Sequence, residues 1–355
     1  MTQRLLDNPS TSLPTVPYSN AGLLSSLPAP LDEHTGWPWT EETPPLPPTL
    51  PDGKQWPKIS IVTPSYNQGQ FIEETIRSVL LQNYPNLEYI IMDGGSTDNT
   101  VSVLEKYTDW ISVWRSEKDN GQTHAINKGF EYASGFIRGY LNSDDLLLPE
   151  ALERVASLIV SHRGQSILVF GDCEKGYSLG DLFARWCPVP PASFMKAIST
   201  DGGLCPQPAT FWTQPENITT HRFNEHLVFC MDHDFWCQLL KFGYEPIKLD
   251  TPLAFFREQP EAKSSRITDV MWSELAGLPL LKATAVESFE EKLAISAISR
   301  RRMRHYLRLE IEKIFLNQGK WSALQALISA CWANPDLVTE RPTLGLARKL
   351  LWEQA

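Results

Sequence analysis

The sequence predicts an α/β fold, with a mostly parallel central sheet, helices on both of its faces, and a helical appendage at the C-terminal end. Three observations predict it. From Lys58 onward, β-rich apolar runs alternate with segments of helical spacing in the order β-α-β-α-β-α-β, and such alternation implies right-handed crossovers between parallel strands. The predicted strands end in turn residues and acids, on the edge where sheets of this kind bind ligands. From about Ile267 the spacing is helical to the end. A chain of 355 residues with 42% hydrophobic content has ample core and exceeds the usual size of one domain.

The elements follow in order. Twelve of the 27 prolines lie at or before Pro57, and proline removes backbone donors and helical freedom, so residues 1–56 are expected to form an irregular arm. Its Trp37, Trp39 and Trp56 suit packing on the main domain; a floppy linker is the competing reading. The main domain is expected over residues 57–265. There "KISIVT" reads as strand, "QFIEETIRSVLLQ" as helix with Ile72, Ile76, Val79 and Leu80 on one face, and "LEYIIMD" as strand. "TVSVLEKYTD" reads as helix, "WISVWRS" as strand, "GQTHAINKGFEYAS" as helix and "GFIRGYLN" as strand. "EALERVASLIVSH" then gives a helix and "SILVFGD" a strand. Residues 172–231 are turn-rich, "MDHDFWCQLLKFG" is a helix opened by acids, and "EPIKLDTPLAFFR" supplies closing strands. Residues 266–355 form the helical extension.

Composition excludes several functions. A net charge of -10 argues against nucleic-acid binding, which needs clustered Lys and Arg. The six cysteines form no C-x-x-C pair and no zinc-like cluster, so reduced thiols are expected. With no apolar leader and no membrane-length apolar run, a cytoplasmic location is expected. The first strand is followed by "TPSYNQGQF", which lacks both G-x-G-x-x-G and G-x-x-x-x-G-K-[ST], so dinucleotide and P-loop readings lose their basis. A pyrophosphate bound here needs another source of positive charge, and a divalent cation, Mn²⁺ or Mg²⁺, held by carboxylates would supply it. Asp144 and Asp145 in "GYLNSDDLLLP" stand where such a cation would bind; capping a following turn is the alternative.

The segment from Lys58 to about Ser265 resembles the family 2 glycosyltransferases, enzymes of the GT-A fold that use nucleotide-activated sugars. The resemblance rests on "ISIVTPSYNQGQFIEETIRSVLLQ", "YIIMDGGSTDNT", "SEKDNGQTHAINKGFEYASG", "YLNSDDLLLPEAL", "QPATFW" and "MDHDFWCQLLKFG", in the family's order. It implies that Thr63, Pro64, Tyr66 and Asn67 line the nucleotide pocket, with Asp93 near the base and Asp119 facing the donor. Asn142-Ser143-Asp144 occupies the place of the Asp-x-Asp motif, making Asp144 the metal-ligand candidate and Asp145 its neighbour. Asp232 matches the catalytic base, and Gln207 a position on the acceptor side. The implied activity is inverting, metal-dependent transfer from a UDP-, GDP- or dTDP-sugar to a sugar or lipid-linked acceptor, in cell-surface polysaccharide or glycoconjugate synthesis. In such a transfer a base takes the acceptor proton while charge on the leaving diphosphate is stabilised.

Local readings compete with these roles. Asp93 also suits a turn, and Asp98 or Ser96 a helix cap. Asp232 and Asp234 both suit a first helical turn, where acids favour the macrodipole; Asp234 is the fallback base. Asn142, His124 and Gln259 depart from the family pattern, the last where a histidine is usual, and a catalytically weak or inactive nucleotide-sugar-binding scaffold is the alternative function. Arg300, Arg301, Arg302, Arg304 and Arg308 in the helical tail fit peripheral membrane contact or a solvated helix face.

Overall fold

The computed structural model describes residues 13–30, 34–162, 164–191, 193–199, 204–215, 221–260, 270–271, 274–275, 277–278, 288–333, 337 and 341–352. The chain divides into two compact units, Met1–Ala197 with Gly202–Arg266, and Ile198–Asp201 with Ile267–Ala355.

In the first unit, strands β1 (Ile59–Ser65), β2 (Leu87–Asp93), β3 (Val113–Ser116) and β4 (Ile137–Tyr140) alternate with helices α1 (Ile72–Leu80), α2 (Thr100–Lys106) and α3 (Gln122–Tyr132). These strands form an all-parallel half-sheet in the order β3-β2-β1-β4. Strands β1 and β2 are mostly apolar and buried at every position, as a sheet covered on both faces requires. Ile72, Ile76, Val79 and Leu80 of α1 are all buried, each contributing about 1.5–3 kcal/mol of apolar transfer.

The other half is mixed. It comprises β5 (Leu146–Leu147), β6 (Ile167–Ser178), β7 (Asp181–Trp186), β8 (Thr210–Thr213) and β9 (Glu245–Arg257). Strand β8 lies antiparallel between β4 and β6, β9 is parallel to β6, and β7 pairs with β6 off the main path. Helices α4 (Ala151–Ser161) and α6 (Met231–Lys241) also belong to this unit, and α5 (Phe194–Ser199) spans the division between the two units. Two features differ from the sequence expectation. The strand begun by "SILVFGD" runs on to Ser178 and returns as β7, and "QPATFW" contains a strand rather than only turn. Polar exposed residues in β6 and β7 conceal the first, and four residues are too few for the period of β8 to register.

The described arm contains no helix or strand beyond an isolated bridge between Thr49 and Gln55, yet it is built into the unit. Val16, Leu23, Leu27, Leu46, Leu50 and Trp56 join the main hydrophobic core. Trp37 donates from Nε1 to Leu147 O at 2.9 Å. Arg77, fully buried on α1, donates to Pro28, Pro38 and Trp39 carbonyls and lies over the Trp39 ring. An arginine buried at that depth needs such acceptors, because an unpaired buried charge is costly.

The second unit contains α7 (Phe289–Gln318), α8 (Lys320–Ala333) and α9 (Arg341–Trp352). Ser288 opens α7 as its N-cap, accepting from Glu291 N. Ile311, Ala323, Leu327, Leu346 and Leu350 form a small core among the three helices. The basic run on α7 is not a single surface. Arg302 is buried and donates to Leu275 O and Ile198 O, whereas Arg300 and Arg301 are exposed. No described helix is long and apolar enough to cross a membrane.

Candidate functional site

The parallel half-sheet aligns its strand ends, with Ser65 of β1 opposite Asp93 of β2 and Asp93 opposite Ser116 of β3. Asp93 is buried, and its Oδ2 accepts from Gly95 N, Ser96 N and Ser116 Oγ while Oδ1 accepts from Ser96 Oγ. These bonds show the turn role, at the strand end where the site is expected. Asp119 accepts from Gly121 N, and its carboxylate lies over Gly94, where an added Cβ would come within 3.2 Å of both oxygens. The four residues expected at the end of β1 divide. Thr63 and Pro64 are buried, the Thr63 hydroxyl pairing with the Tyr89 hydroxyl. Tyr66 and Asn67 are exposed; Asn67 sits at a φ of 51°, its N donating to Ser96 Oγ and its Oδ1 accepting from Thr97 N. Asp98 accepts from Thr100 N and Gly69 N, one position before the N-cap Asn99, so it braces the turn without serving as the cap itself.

The loop after β4 distinguishes its two acids. Asp145 is 1% exposed, with Oδ1 accepting from Arg257 N at 3.0 Å and Oδ2 from Asn142 Nδ2 at 3.1 Å. Both its oxygens are engaged within the protein. Asp144 is half-buried, and its Oδ2 accepts from Gln259 Nε2 at 2.6 Å. Burial, then the charge of Asp144, push the Asp145 carboxyl well above the usual carboxylate range; burial also raises Asp144, against the hydrogen bond from Gln259. Asn142 connects outward, donating to Gln207 Oε1 at 2.8 Å and accepting from Gln122 Nε2 at 2.7 Å, and Gln207 donates to Tyr140 O. The structure thus joins Asn142, Gln207 and Asp145 in one network.

Arg257, at the end of β9, holds this loop. Besides its backbone bond to Asp145, its Nε donates to Asp144 O, Nη1 to Tyr177 O and Nη2 to Glu74 Oε2 at 2.6 Å. Sequence reasoning singles out neither Arg257 nor Glu74, which are 183 positions apart. An arginine closing a strand just before Gln259 was the available signal.

Helix α6 carries the remaining acids. Phe235 and Trp236 pack it onto Trp212 of β8 and onto Phe223, and Phe223 in turn meets Phe130 and Tyr140. Rings bury large area in preferred stacked and edge-on geometries, so this cluster fixes the start of α6 against β4 and β8. Asp234 is buried and accepts from Gln238 Nε2 at 2.6 Å. Asp232 is half-buried and its Oδ1 accepts from His233 N. The Tyr140 phenol is held far above its ordinary range by burial and then by the charges of Asp232 and Asp145. Both acids therefore lie within electrostatic reach of one phenol at the end of β4. Lys128 pairs with Glu117 on the surface. No group of three or more His, Cys, Asp or Glu suited to a resident metal occurs among the described residues.

Residues 60–209 match the family model "Glycosyl transferase family 2". The chain is 41% identical over 250 residues to the putative teichuronic acid biosynthesis glycosyltransferase TuaG of Bacillus subtilis, covering 64% of this chain and 92% of that relative. Among solved structures it resembles S. aureus TarS 1-349 in complex with UDP-GlcNAc, with a TM-score of 0.54 and 19% identity over 76% of this chain and 81% of that one. It also resembles the mannosyltransferase PcManGT from Pyrobaculum calidifontis in complex with GDP-Man and Mn²⁺, with a TM-score of 0.51 and 17% identity over 89% and 92% of the two chains.

Proposed function

The chain belongs to the family 2 glycosyltransferases, with the GT-A fold, and from that premise we propose that it catalyses inverting transfer of a sugar from a nucleoside-diphosphate donor to an acceptor hydroxyl, in synthesis of a cell-surface polysaccharide. The observation that carries this reading is the presence of two half-buried acids, Asp144 in the loop after β4 and Asp232 at the start of α6, with Asp232 and Asp145, the neighbour of Asp144, both close enough to act on the Tyr140 phenol at the end of β4. The polysaccharide role draws on the relative named for teichuronic acid biosynthesis, and the donor class on neighbours bound to UDP-GlcNAc and GDP-Man.

In the proposed reaction, the exposed Tyr66 and Asn67 and the ordered turn around Asp93 receive the nucleoside, with Asp119 over Gly94 facing the donor. Thr63 and Pro64 contribute by shaping the buried strand beneath. Asp232 takes the proton from the acceptor hydroxyl as it attacks the anomeric carbon. Asp234 is poorly placed for that role, being buried and bonded to Gln238. Gln207 keeps the Asn142 loop in register from the acceptor side.

A divalent cation fits this site in one particular way. The engaged oxygens of Asp145 leave Asp144 as the carboxylate of the pair suited to bind one, and a single protein carboxylate suits a cation whose other oxygens come from substrate phosphates and water. When bound, Mn²⁺ or Mg²⁺ would neutralise charge developing on the leaving diphosphate. Asp144 would hold it, oriented by Gln259, with Asp145 as support.

A thermal-shift screen against UDP-, GDP- and dTDP-sugars, each with Mn²⁺ and with chelator, tests the reading, since selective binding to the folded state raises Tm. A metal-dependent shift with one nucleotide, lost in Asp144→Ala, is expected. Absence of a shift with every donor overturns it.

A further inference from the structure

The hairpin formed by β6 and β7 contains two irregularities whose positions coincide with two aromatic residues. Lys175 pairs with Ala184 and Gly176 with Leu182, so Phe183 is skipped on β7; Gly176 pairs with Leu182 and Ser178 with Asp181, so Tyr177 is skipped on β6. In a regular antiparallel ladder continuing from Lys175 and Ala184, Tyr177 and Phe183 would occupy adjacent positions on opposite faces, because side chains alternate. The two bulges cancel that alternation. The rings meet with centroids 5.3 Å apart and planes tilted by 48°. Gly176 permits the arrangement, since a Cβ there would lie 2.4 Å from Asp181 O.

The pair is nevertheless not a buried packing contact. Tyr177 is 60% and Phe183 52% exposed, with Leu182 exposed beside them. Edge bulges often serve only to prevent pairing with another strand, but charged residues accomplish that without exposing two rings. Bulges beside active sites, in contrast, re-aim side chains. This hairpin is connected directly to the candidate site. Tyr177 O accepts from Arg257 Nη1 at 3.0 Å, and Nε of the same guanidinium donates to Asp144 O at 3.0 Å. Gly176 O also accepts from Glu258 N, adjacent to Gln259. The aromatic pair therefore stands one arginine side chain away from the acid assigned to the donor diphosphate.

We propose that Tyr177 and Phe183 form the platform on which the acceptor saccharide stacks, an inference that rests on the transferase reading above. A pyranose presents polarised C–H groups on its face and hydroxyls around its rim. Those C–H groups complement the electron-rich ring faces, the Tyr177 hydroxyl can meet the polar rim, and stiff rings order at small entropic cost. The occupant is a neutral or anionic sugar ring of the acceptor and not the nucleoside, whose strand-end position lies at β1 and β2.

The test measures initial rates with the donor identified by the thermal-shift screen and p-nitrophenyl glycosides of glucose, galactose, N-acetylglucosamine and glucuronic acid as acceptor probes. Tyr177→Ala combined with Phe183→Ala is expected to raise the acceptor KM at least tenfold, with the donor KM within twofold of wild type. The conservative pair Tyr177→Phe with Phe183→Tyr restores the acceptor KM to within about threefold. A merely structural role would disturb both substrates and the Tm together. An unchanged acceptor KM in the double alanine variant overturns the platform and leaves the transferase reading standing. Donor-dependent Tm shifts with no transfer from wild type to any of the four probes overturn the platform as a general sugar site, whereas absence of donor binding overturns the parent reading itself.

Discussion

Gln259 Nε2 lies 2.6 Å from Asp144 Oδ2, so the segment following β9 touches the acid following β4 across 115 positions of sequence. That bond fixes one carboxylate oxygen and leaves Asp144 oriented by a neutral donor. A neutral amide orients the acid without neutralising it, which keeps the negative charge available for a cation.

Gln259→Ala is accordingly expected to weaken metal-dependent donor binding by at least about tenfold, the lower end of the effect of losing a hydrogen bond to a charged group worth about 1.5–3 kcal/mol. Isothermal titration with the donor and Mn²⁺ measures it. An unchanged Kd would show that Gln259 has no orienting role.

Asp232→Asn is expected to preserve donor binding while lowering kcat by at least 10²-fold, the scale of lost general-base assistance. Asp234→Asn keeps a hydrogen bond to Gln238 within reach and is expected to lower kcat by less than tenfold. Steady-state kinetics on the two variants decides between the acids, and a reversed order would move the base to Asp234.

Arg257→Met is expected to destabilise the first unit by about 3–5 kcal/mol, because it leaves Glu74 and the Asp144 and Tyr177 carbonyls without their donor in a largely buried setting. Urea denaturation followed by Trp fluorescence reads this as a lower midpoint. A midpoint equal to that of wild type would refute the clamp.

His221 packs against Phe242, Tyr244 and Phe235 near α6, and burial, followed by the positive charge of Arg138, lowers its pKa. The unfolded state then binds more protons than the folded state below an unfolded pKa of about 6.5, so stability is complete above that value and declines as pH falls toward the lowered folded pKa. Between pH 7 and pH 5 the wild-type Tm is expected to fall more steeply than that of His221→Phe. Parallel slopes would remove His221 from the acid response.

The alternation of apolar strands and amphipathic helices was legible because it is written in local periods. Ile72, Ile76, Val79 and Leu80 face the core as their spacing requires. The family motifs, each lying within one contiguous stretch, likewise pointed to the correct family. Local chemistry alone left Asp144 and Asp145 equivalent, being two adjacent carboxylates; only the resemblance to the family motif put Asp144 first.

The sequence by itself determined the order of the strands and helices from β1 to β4, followed by α4, the irregular character of the arm and the family, all properties carried by short contiguous segments. Only the tertiary structure decided that the arm is packed into the core, that Asp145 is engaged inward while Asp144 meets Gln259, and that two bulges unite Tyr177 with Phe183. Those outcomes depend on partners far apart in the chain, on hydrogen-bond satisfaction and on strand register. None of these is a function of local composition, because each is settled only when distant backbone segments compete for the same donors and the same buried space.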